Sequence, residues 1–551
     1  MPRFGDVLKM IGEFGAFQKC LVLLLCIPSF LTPFHMFGQM FTSINDIPHY
    51  CNTSWIQAIS PNLTFQQGLN LTIPKRTDDS LDECSRFTPV DLDIETIMKY
   101  GLNSTQNCEQ GWVYPTMKVP TLVTEFDLVC DRRDLCDISQ SIFMGGLLAG
   151  SLIFSSLSDR AGSRMSILVA LFVMAFFGCI ISLASHFYVY IALRFIVGTA
   201  LAGINISVAT LSSEWIGPSY RPQALIIIHC ANALGQMALA GIAYFIPDWR
   251  LFQIIASAPA FLVFFYSWVL PSSARWLITK KKMKEAKDIL LRAAATNNRT
   301  ISEDVIDQLA PERKVPSKCI LDFFKKLYLR NMTLIMAWIW FVDSLVYYEV
   351  SFHVGNFGLN IYLTQLIFGA VEIPSRILSI FLLQWIGRKR CQSTWLVLGG
   401  IVCVMISVLP KEYTRIVTVL AVIGKSAMAA AFSTTYLFSA EIFPTVVRQF
   451  GLGFCSVFAR VAGILAPLLG MLARYHLAIP MFTCGSLALI AGISCFFLPE
   501  TCNKDLQDLI AEPEPAPVQE IPSIYADCQV EIMIEDDDEI PCEPTVKRSY
   551  V

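Results

Sequence analysis

Six ionisable residues lie inside long apolar runs in the second half of the chain: Asp343, Glu349, Glu372, Arg376, Lys425 and Arg460. A charge at the centre of a bilayer costs about 2.5–3.5 kcal/mol on insertion scales, so such residues are paired or line a pathway. Glu372 and Arg376 are four apart and share a helix face. Arg460 lies in FARVAGILAPL, where Gly463 and Pro467 point to a bend or a close helix contact. Three cations at membrane depth need anions, and two arrangements would supply them. Either Glu372 pairs with Arg376, and Arg460 with an acid of a neighbouring helix, so that the charges lock a bundle. Or one or two cations face a water-filled cavity, where a substrate carboxylate accepts charge-assisted hydrogen bonds from them. The chemistry is recognition rather than bond making. The chain has no C-x-x-C pair, no metal-ligand spacing and no nucleophile with an assigned base, so neither an enzyme nor a cofactor or metal is expected. IGKS at Ile423–Ser426 ends like a phosphate-binding loop, but Val419 stands where that loop needs glycine.

A planar ion also needs faces to stack on. Trp340 is seven and eight residues from Tyr347 and Tyr348, which places all three on one stripe, and Phe432 and Tyr436 are an i,i+4 pair. Singly, each reads more simply as packing or lipid contact. Asn232 and Gln236 share a face of another apolar segment and could complete a site, whereas His35 reads as an interhelical hydrogen bond.

These residues need elements to carry them. The 551 residues are 54% hydrophobic and 16% charged, with a net charge of −3 and a mean hydropathy of +0.52. This is too apolar for a soluble chain of that length and gives no basic field for nucleic acid. A window of about 19 residues, the length that crosses a bilayer as helix, finds twelve segments: 19–40, 138–157, 166–184, 188–209, 223–244, 251–270, 332–353, 360–384, 393–410, 415–438, 450–472 and 478–498. The expected fold is an all-α membrane protein of two six-helix halves, 19–270 and 332–498. Residues 1–18, the amphipathic helical linker 271–331 and the Pro-, Glu- and Asp-rich, disordered tail 499–551 remain outside the bilayer.

Lys and Arg are retained on the cytoplasmic side. Arg160 and Arg164, Arg388 to Arg390, and Arg275 with Lys280 to Lys282 fall on one side if the segments alternate, which puts both termini in the cytoplasm. The 42–137 loop is then extracellular. Its contents agree: glycosylation sequons start at Asn52, Asn62, Asn70 and Asn103, and Cys51, Cys84, Cys108, Cys130 and Cys136 meet an oxidising compartment. Cys136, beside the membrane, is the expected odd thiol; the pairing of the other four stays open.

Short motifs recur between the halves. DRAGSR (Asp159–Arg164) follows the second segment and QWIGRK (Gln384–Lys389) the eighth, each with a glycine that permits a tight turn. LRFIVG carries Arg194 and Gly198, LPSSARWL follows the sixth segment, SAEIFPTVVRQFG the tenth and FLPET the twelfth. This ordered set resembles the major facilitator superfamily, and with the large first loop it is similar to solute carrier family 22, the organic ion transporters. Ser272 departs from the family pattern, which has Glu there, and Ser155 and Ser163 stand where Gly and Arg are preferred.

The resemblance implies a plasma-membrane transporter that works by alternating access. Arg376 and Arg460 match positions that are basic in the organic anion branch, so both are expected to face substrate, with Lys425 as a gate or binding residue. The aromatic set matches cavity positions. Asp159, Arg160, Arg164, Glu214, Arg221, Glu441 and Arg448 stand at cytoplasmic helix ends as gating residues. The overall pattern is most similar to nicotinate and urate exchangers, which implies a small organic anion exchanged for a counter-anion. The rivals are a cation or zwitterion transporter using Asp343 or Glu349, and a non-transporting receptor or scaffold. Ser549 to Val551 end the chain as a PDZ-domain ligand would.

Overall fold

The computed structural model describes residues 4–43, 47–76, 79–90, 92–115, 119–217, 219–307, 309, 327–352, 360–443, 448–476 and 478–501. Most of the acidic tail, its PDZ-type terminus and linker residues 310–326 lie outside these. Twelve helices are long and apolar enough to cross a membrane. They are α1 (Ala16–Met36), α2 (Asp134–Ala161), α3 (Ser163–Ile181), α4 (Phe187–Trp215), α5 (Arg221–Phe245) and α6 (Trp249–Val269), then α7 (Leu327–Phe352), α8 (Ile361–Ile386), α9 (Arg388–Val408), α10 (Thr414–Ile442), α11 (Arg448–Gly470) and α12 (Ala478–Ser494).

Several helices outrun their apolar windows. Hydropathy marks the stretch that crosses hydrocarbon, whereas a helix continues through the headgroup layer until something caps it. Asp248 caps α6 by accepting from the Arg250 and Leu251 amides, and Asn360 caps α8 by accepting from Tyr362. At the other face α2 turns into α3 at Gly162 (φ 90°, ψ 152°), and α8 turns into α9 at Gly387 (φ 89°, ψ 164°). The two recurring glycines thus adopt the same left-handed conformation, which a Cβ would strain.

The halves repeat one packing plan. Helices α1, α2, α3 and α4 contact α5, α4, α4 and α1, as α7, α8, α9 and α10 contact α11, α10, α10 and α7. The halves meet through α5 against α8 and α2 against α11, again an equivalent pair. Small residues allow the close approaches: a Cβ on Gly198 would lie 2.4 Å from the Phe143 carbonyl oxygen. Where the 42–137 segment emerges, the halves also touch through side chains. Phe37 lies against Phe352 (5.9 Å between centroids), Tyr362 is held between Phe41 (5.3 Å) and Tyr244 (5.6 Å), and Arg474 pairs with Asp134. Among the described residues these contacts join the two halves on the loop face.

The loop itself carries short helices and two small antiparallel pairings, Tyr50–Cys51 with Trp112–Val113 and Ser85–Phe87 with Thr105–Asn107. Disulfides join Cys51 to Cys108 and Cys84 to Cys130, and Cys136 is a buried free thiol at the start of α2. Asn62, Asn70 and Asn103 are exposed, but Asn52 is half-buried and its side chain is engaged with Ser54 and Gln110. On the opposite face, helix Phe4–Ile11 and helix Met283–Thr296 are clasped by Asn297. Its amide donates to the Ile11 carbonyl (3.0 Å) and Gln18 (2.9 Å), and its oxygen accepts from the Phe17 amide (2.8 Å).

Arg194 of α4 is 1% exposed, and every hydrogen bond it makes among the described residues goes to a neutral acceptor. It donates to the His35 carbonyl (3.0 Å), Gln39 Oε1 (3.0 Å) and Gln140 Oε1 (2.8 Å), and its guanidinium lies 4.2 Å from the Phe143 ring centroid. It thus caps the carbonyl end of α1 and pins α1 to α2. Arg194→Leu should deprive the His35 carbonyl and Gln140 Oε1 of this donor at about 1–3 kcal/mol each, while Gln39 Oε1 keeps Ser139 (3.1 Å). The expected result is a clear fall in the thermal unfolding midpoint of the detergent-solubilised protein; an unchanged midpoint would show that the amides find other donors.

Candidate functional site

Three helices of the second half bring Glu372, Arg376, Lys425 and Tyr347 together at membrane depth. α8 supplies Glu372 and Arg376 one turn apart; Pro374 lies between them within the helix. The Glu372 carboxylate is completely buried and is shared: Oε2 accepts from Arg376 Nη2 (3.0 Å), and Oε1 accepts from Lys425 Nζ (2.9 Å) and the Tyr347 hydroxyl (2.9 Å). Lys425 also donates to Ser351 Oγ (2.5 Å) and lies 3.4 Å from the Tyr347 ring centroid. Arg376 donates to Ser433 Oγ (2.7 Å), lies 3.4 Å from Nδ1 of His229 on α5, and keeps a buried Nε without a partner. The first half enters here through His229 and through Phe37, whose ring centroid is 5.7 Å from Lys425 Nζ.

Arg460 of α11 differs from both. It is partly exposed, and among the described residues it makes no hydrogen bond and no ion pair. One turn along, Gly463 lies against Tyr348 and Met144, placing this stretch of α11 between α7 and α2 of the other half. The pairing of Arg376 with Glu372 is thus present, while a carboxylate partner for Arg460 is not found among the described residues.

The aromatic residues do gather. Trp340 packs on Phe432 (5.9 Å) and Tyr436 (5.5 Å), Tyr347 on Phe432 (6.0 Å) and on Tyr348 (5.4 Å), forming one wall between α7 and α10. Trp340 is also tied to Ser439 by its indole N–H (2.8 Å), so it is a fixed part of that wall. Asn232 serves the α1–α5 contact, donating to Thr32 Oγ1 (2.8 Å), and Gln236 is completely buried with neither amide atom partnered. His35 lies within the first half beside Gln253 and Ser257. Asp343 is buried and accepts from Thr435 (2.8 Å), and Glu349 is buried near Cys403 and Cys484. His229, Ser351, Ser433 and Phe37 have no sequence pattern that marks them; only the packing of α5 on α8 and of α7 on α10 brings them in.

At the face away from the loop, the repeats hold different chemistry in equivalent places. In the second half Arg388 donates to Glu441 (2.9 Å and 3.1 Å), Thr501 donates to the same carboxylate (2.8 Å), and Glu500 accepts from the Arg388 and Lys389 amides that open α9. In the first half Ser163 stands where Arg388 does and donates to Glu214 (3.3 Å). Ser272 stands where Glu500 does and accepts from Arg164 (3.3 Å), which also donates to the Ser267 carbonyl. Arg221 and Arg448 donate to the carbonyls of Ile216 (3.1 Å) and Phe443 (3.2 Å), each five residues earlier. Asp159 and Arg160 are exposed; the Asp159 carbonyl accepts from Trp276.

Comparison with solved structures places the fold. The inward-open xylose transporter XylE from E. coli aligns with a TM-score of 0.59 over 89% of this chain and 98% of its own, at 15% identity. The XylE proton:xylose symporter bound to 6-bromo-6-deoxy-D-glucose gives the same TM-score of 0.59 at 16% identity, covering 90% of this chain and 98% of its own. A twelve-helix, two-half fold of this kind defines a membrane transporter of the major facilitator superfamily. The family model described as "Sugar (and other) transporter" matches residues 97–511. The human solute carrier family 22 member 13 is 45% identical over 529 residues, 95% of this chain and 96% of that protein. Member 6-A of Xenopus laevis is 36% identical (93% and 94% covered), and the organic cation transporter protein of Drosophila melanogaster 35% (93% and 94%). The chain belongs to solute carrier family 22; it is a multi-pass transporter and not an enzyme.

The hydrogen bonds that join Arg388, Glu441 and Glu500 do not involve Arg376 or Lys425, so if this cluster acts as a gate its loss should alter rate and not recognition. Glu441→Gln is expected to lower the maximal uptake rate about tenfold, equivalent to losing ~1.5 kcal/mol of charge-assisted hydrogen bonding. KM should stay unchanged, as read from uptake kinetics normalised to surface protein.

Proposed function

We propose that this transporter carries small organic anions across the plasma membrane and exchanges them for a counter-anion. The observation that carries the reading is the charge balance of the central cluster: Arg376, Lys425 and Arg460 stand against one ion-paired acid, Glu372, and Arg460 has no hydrogen-bond or ion-pair partner among the described residues. A carboxylate or enolate entering between α7, α10 and α11 gains charge-assisted hydrogen bonds from Arg460 and meets the aromatic wall of Tyr348, Tyr436 and Phe432. Planar monocarboxylates such as nicotinate, and urate, fit that combination of one flat face and one negative edge. Resemblance to the nicotinate and urate exchangers of the anion branch supports the same class.

In this reading the 42–137 loop is extracellular and glycosylated, and both termini are cytoplasmic. The contacts that join the halves on the loop face then lie on the outer side. Transport parts the Phe37–Phe352, Phe41–Tyr362–Tyr244 and Asp134–Arg474 contacts as the halves rock. The C-terminal Ser549–Val551 is a candidate ligand for a PDZ-domain protein. A cation or zwitterion substrate is the second reading; it has support from the similarity to the Drosophila organic cation transporter protein and from buried Asp343, whose Oδ1 has no partner.

Arg460→Ala should reduce uptake of labelled nicotinate or urate about 100-fold or more, because the interaction lost is a charge-assisted one in a poorly solvated site. Surface labelling should show the variant at the membrane; full uptake by it would overturn the proposed site. Preloading cells with lactate or a dicarboxylate should accelerate uptake. A quaternary ammonium ion should leave urate uptake nearly unaffected, and strong competition by it would favour the cation reading.

A further inference from the structure

The central cluster contains its own anion. Glu372, itself completely buried, holds both Arg376 and Lys425 through separate oxygens and receives a third hydrogen bond from Tyr347. A transported carboxylate that entered beside Arg460 and reached on to Arg376 and Lys425 would make the same contacts. We infer that Glu372 is an internal surrogate for the transported anion, covering two of the three site cations whenever the site is empty and yielding them, in part, when substrate binds. The inference rests on the anion reading above and extends it to how tightly exchange is coupled.

The physical reason is the cost of occluding charge. A carrier returning empty must enclose its site between the two halves, and uncompensated cations enclosed in a low-dielectric interior are strongly disfavoured. With Glu372 in place, Arg376 and Lys425 are enclosed as part of a paired cluster, and only Arg460 remains uncovered. The empty carrier can therefore return, though more slowly than the loaded one, in which the substrate covers Arg460 as well. Exchange is preferred but not obligatory. Asp343 does not share the role: its carboxylate is bonded to Thr435, which in turn accepts from Gln392 of α9 (2.6 Å), a contact directed into the second half. Two features suit Glu372 to yielding. Arg376 keeps a buried Nε free to meet an incoming oxygen, and it retains Ser433 when Glu372 moves.

Glu372 thus acts as a positioning residue for coupling, and its readout is a ratio of fluxes. Labelled nicotinate or urate uptake is measured in cells expressing the full chain, with and without preloaded unlabelled anion, together with efflux into anion-free medium. The wild type should show measurable efflux without external anion. Glu372→Gln should raise the preloaded-to-unloaded uptake ratio by about tenfold or more, since Arg376 and Lys425 then lose the carboxylate that ion-pairs both and join Arg460 on the empty return. Glu372→Asp should keep the ratio within about twofold of wild type, because a carboxylate is retained. A Glu372→Gln ratio equal to or below wild type overturns the inference. So does a wild type that releases label only against external anion, a result that holds even if the Gln variant fails to reach the surface. Absence of any anion uptake by the wild type, with or without preloading, would instead sink the anion reading itself.

Discussion

A charge enclosed at membrane depth must be answered by another, and one carboxylate answers for most of the centre of this transporter. Glu372 draws Arg376 of its own helix, Lys425 of α10 and Tyr347 of α7 to a single point, so three helices of the second half are registered by one side chain. The cluster then reaches the first half through His229 and Phe37. Its geometry consequently depends on how the halves are docked, which is what a site that must sense the transport cycle requires.

The two halves share a packing plan but divide the chemistry. The main contacts repeat helix for helix, and Gly162 and Gly387 turn with nearly the same φ, 90° and 89°. Yet the ion-paired centre belongs to the second half, while the first half buries Arg194 against neutral acceptors as a structural clamp. The same division appears at the face opposite the loop, where Arg388, Glu441 and Glu500 form a charged lock and Ser163 and Ser272 replace two of its members. Loss of one positive and one negative group together leaves the first-half cluster balanced, with neutral hydrogen bonds in place of charged ones and no stray charge.

How much of the site could be read in advance follows from the range of each interaction. Glu372 and Arg376 are an i,i+4 pair, and helix geometry alone puts them in reach. Trp340, Tyr347 and Tyr348 were legible as a stripe for the same reason. Lys425 could be recognised as an intramembrane cation, but its attachment to Glu372 required the packing of α10 on α8. His229 carried no signal at all, since a single histidine in an apolar helix has no periodicity that names its partner. Asn232 and Gln236 share a face of α5, as their spacing indicates, but that Asn232 is taken up by α1 through Thr32 while both Gln236 amide atoms lack a partner was not legible from it.

What the chain determined by itself is whatever depends on local composition and period. Twelve apolar runs of membrane length, the turn glycines between them and the repeated motifs specify the helices and their order, because lipid allows a spanning backbone no alternative to satisfying its own hydrogen bonds. The tertiary structure alone decided which of three cations is left without a partner. That outcome rests on side chains 25 and 147 residues apart in the chain, Tyr347 with Glu372 and His229 with Arg376, meeting across helix faces whose rotation no sequence period reports. Among the described residues Glu372 serves Arg376 and Lys425, and Arg460, on another helix, has no hydrogen-bond or ion-pair partner.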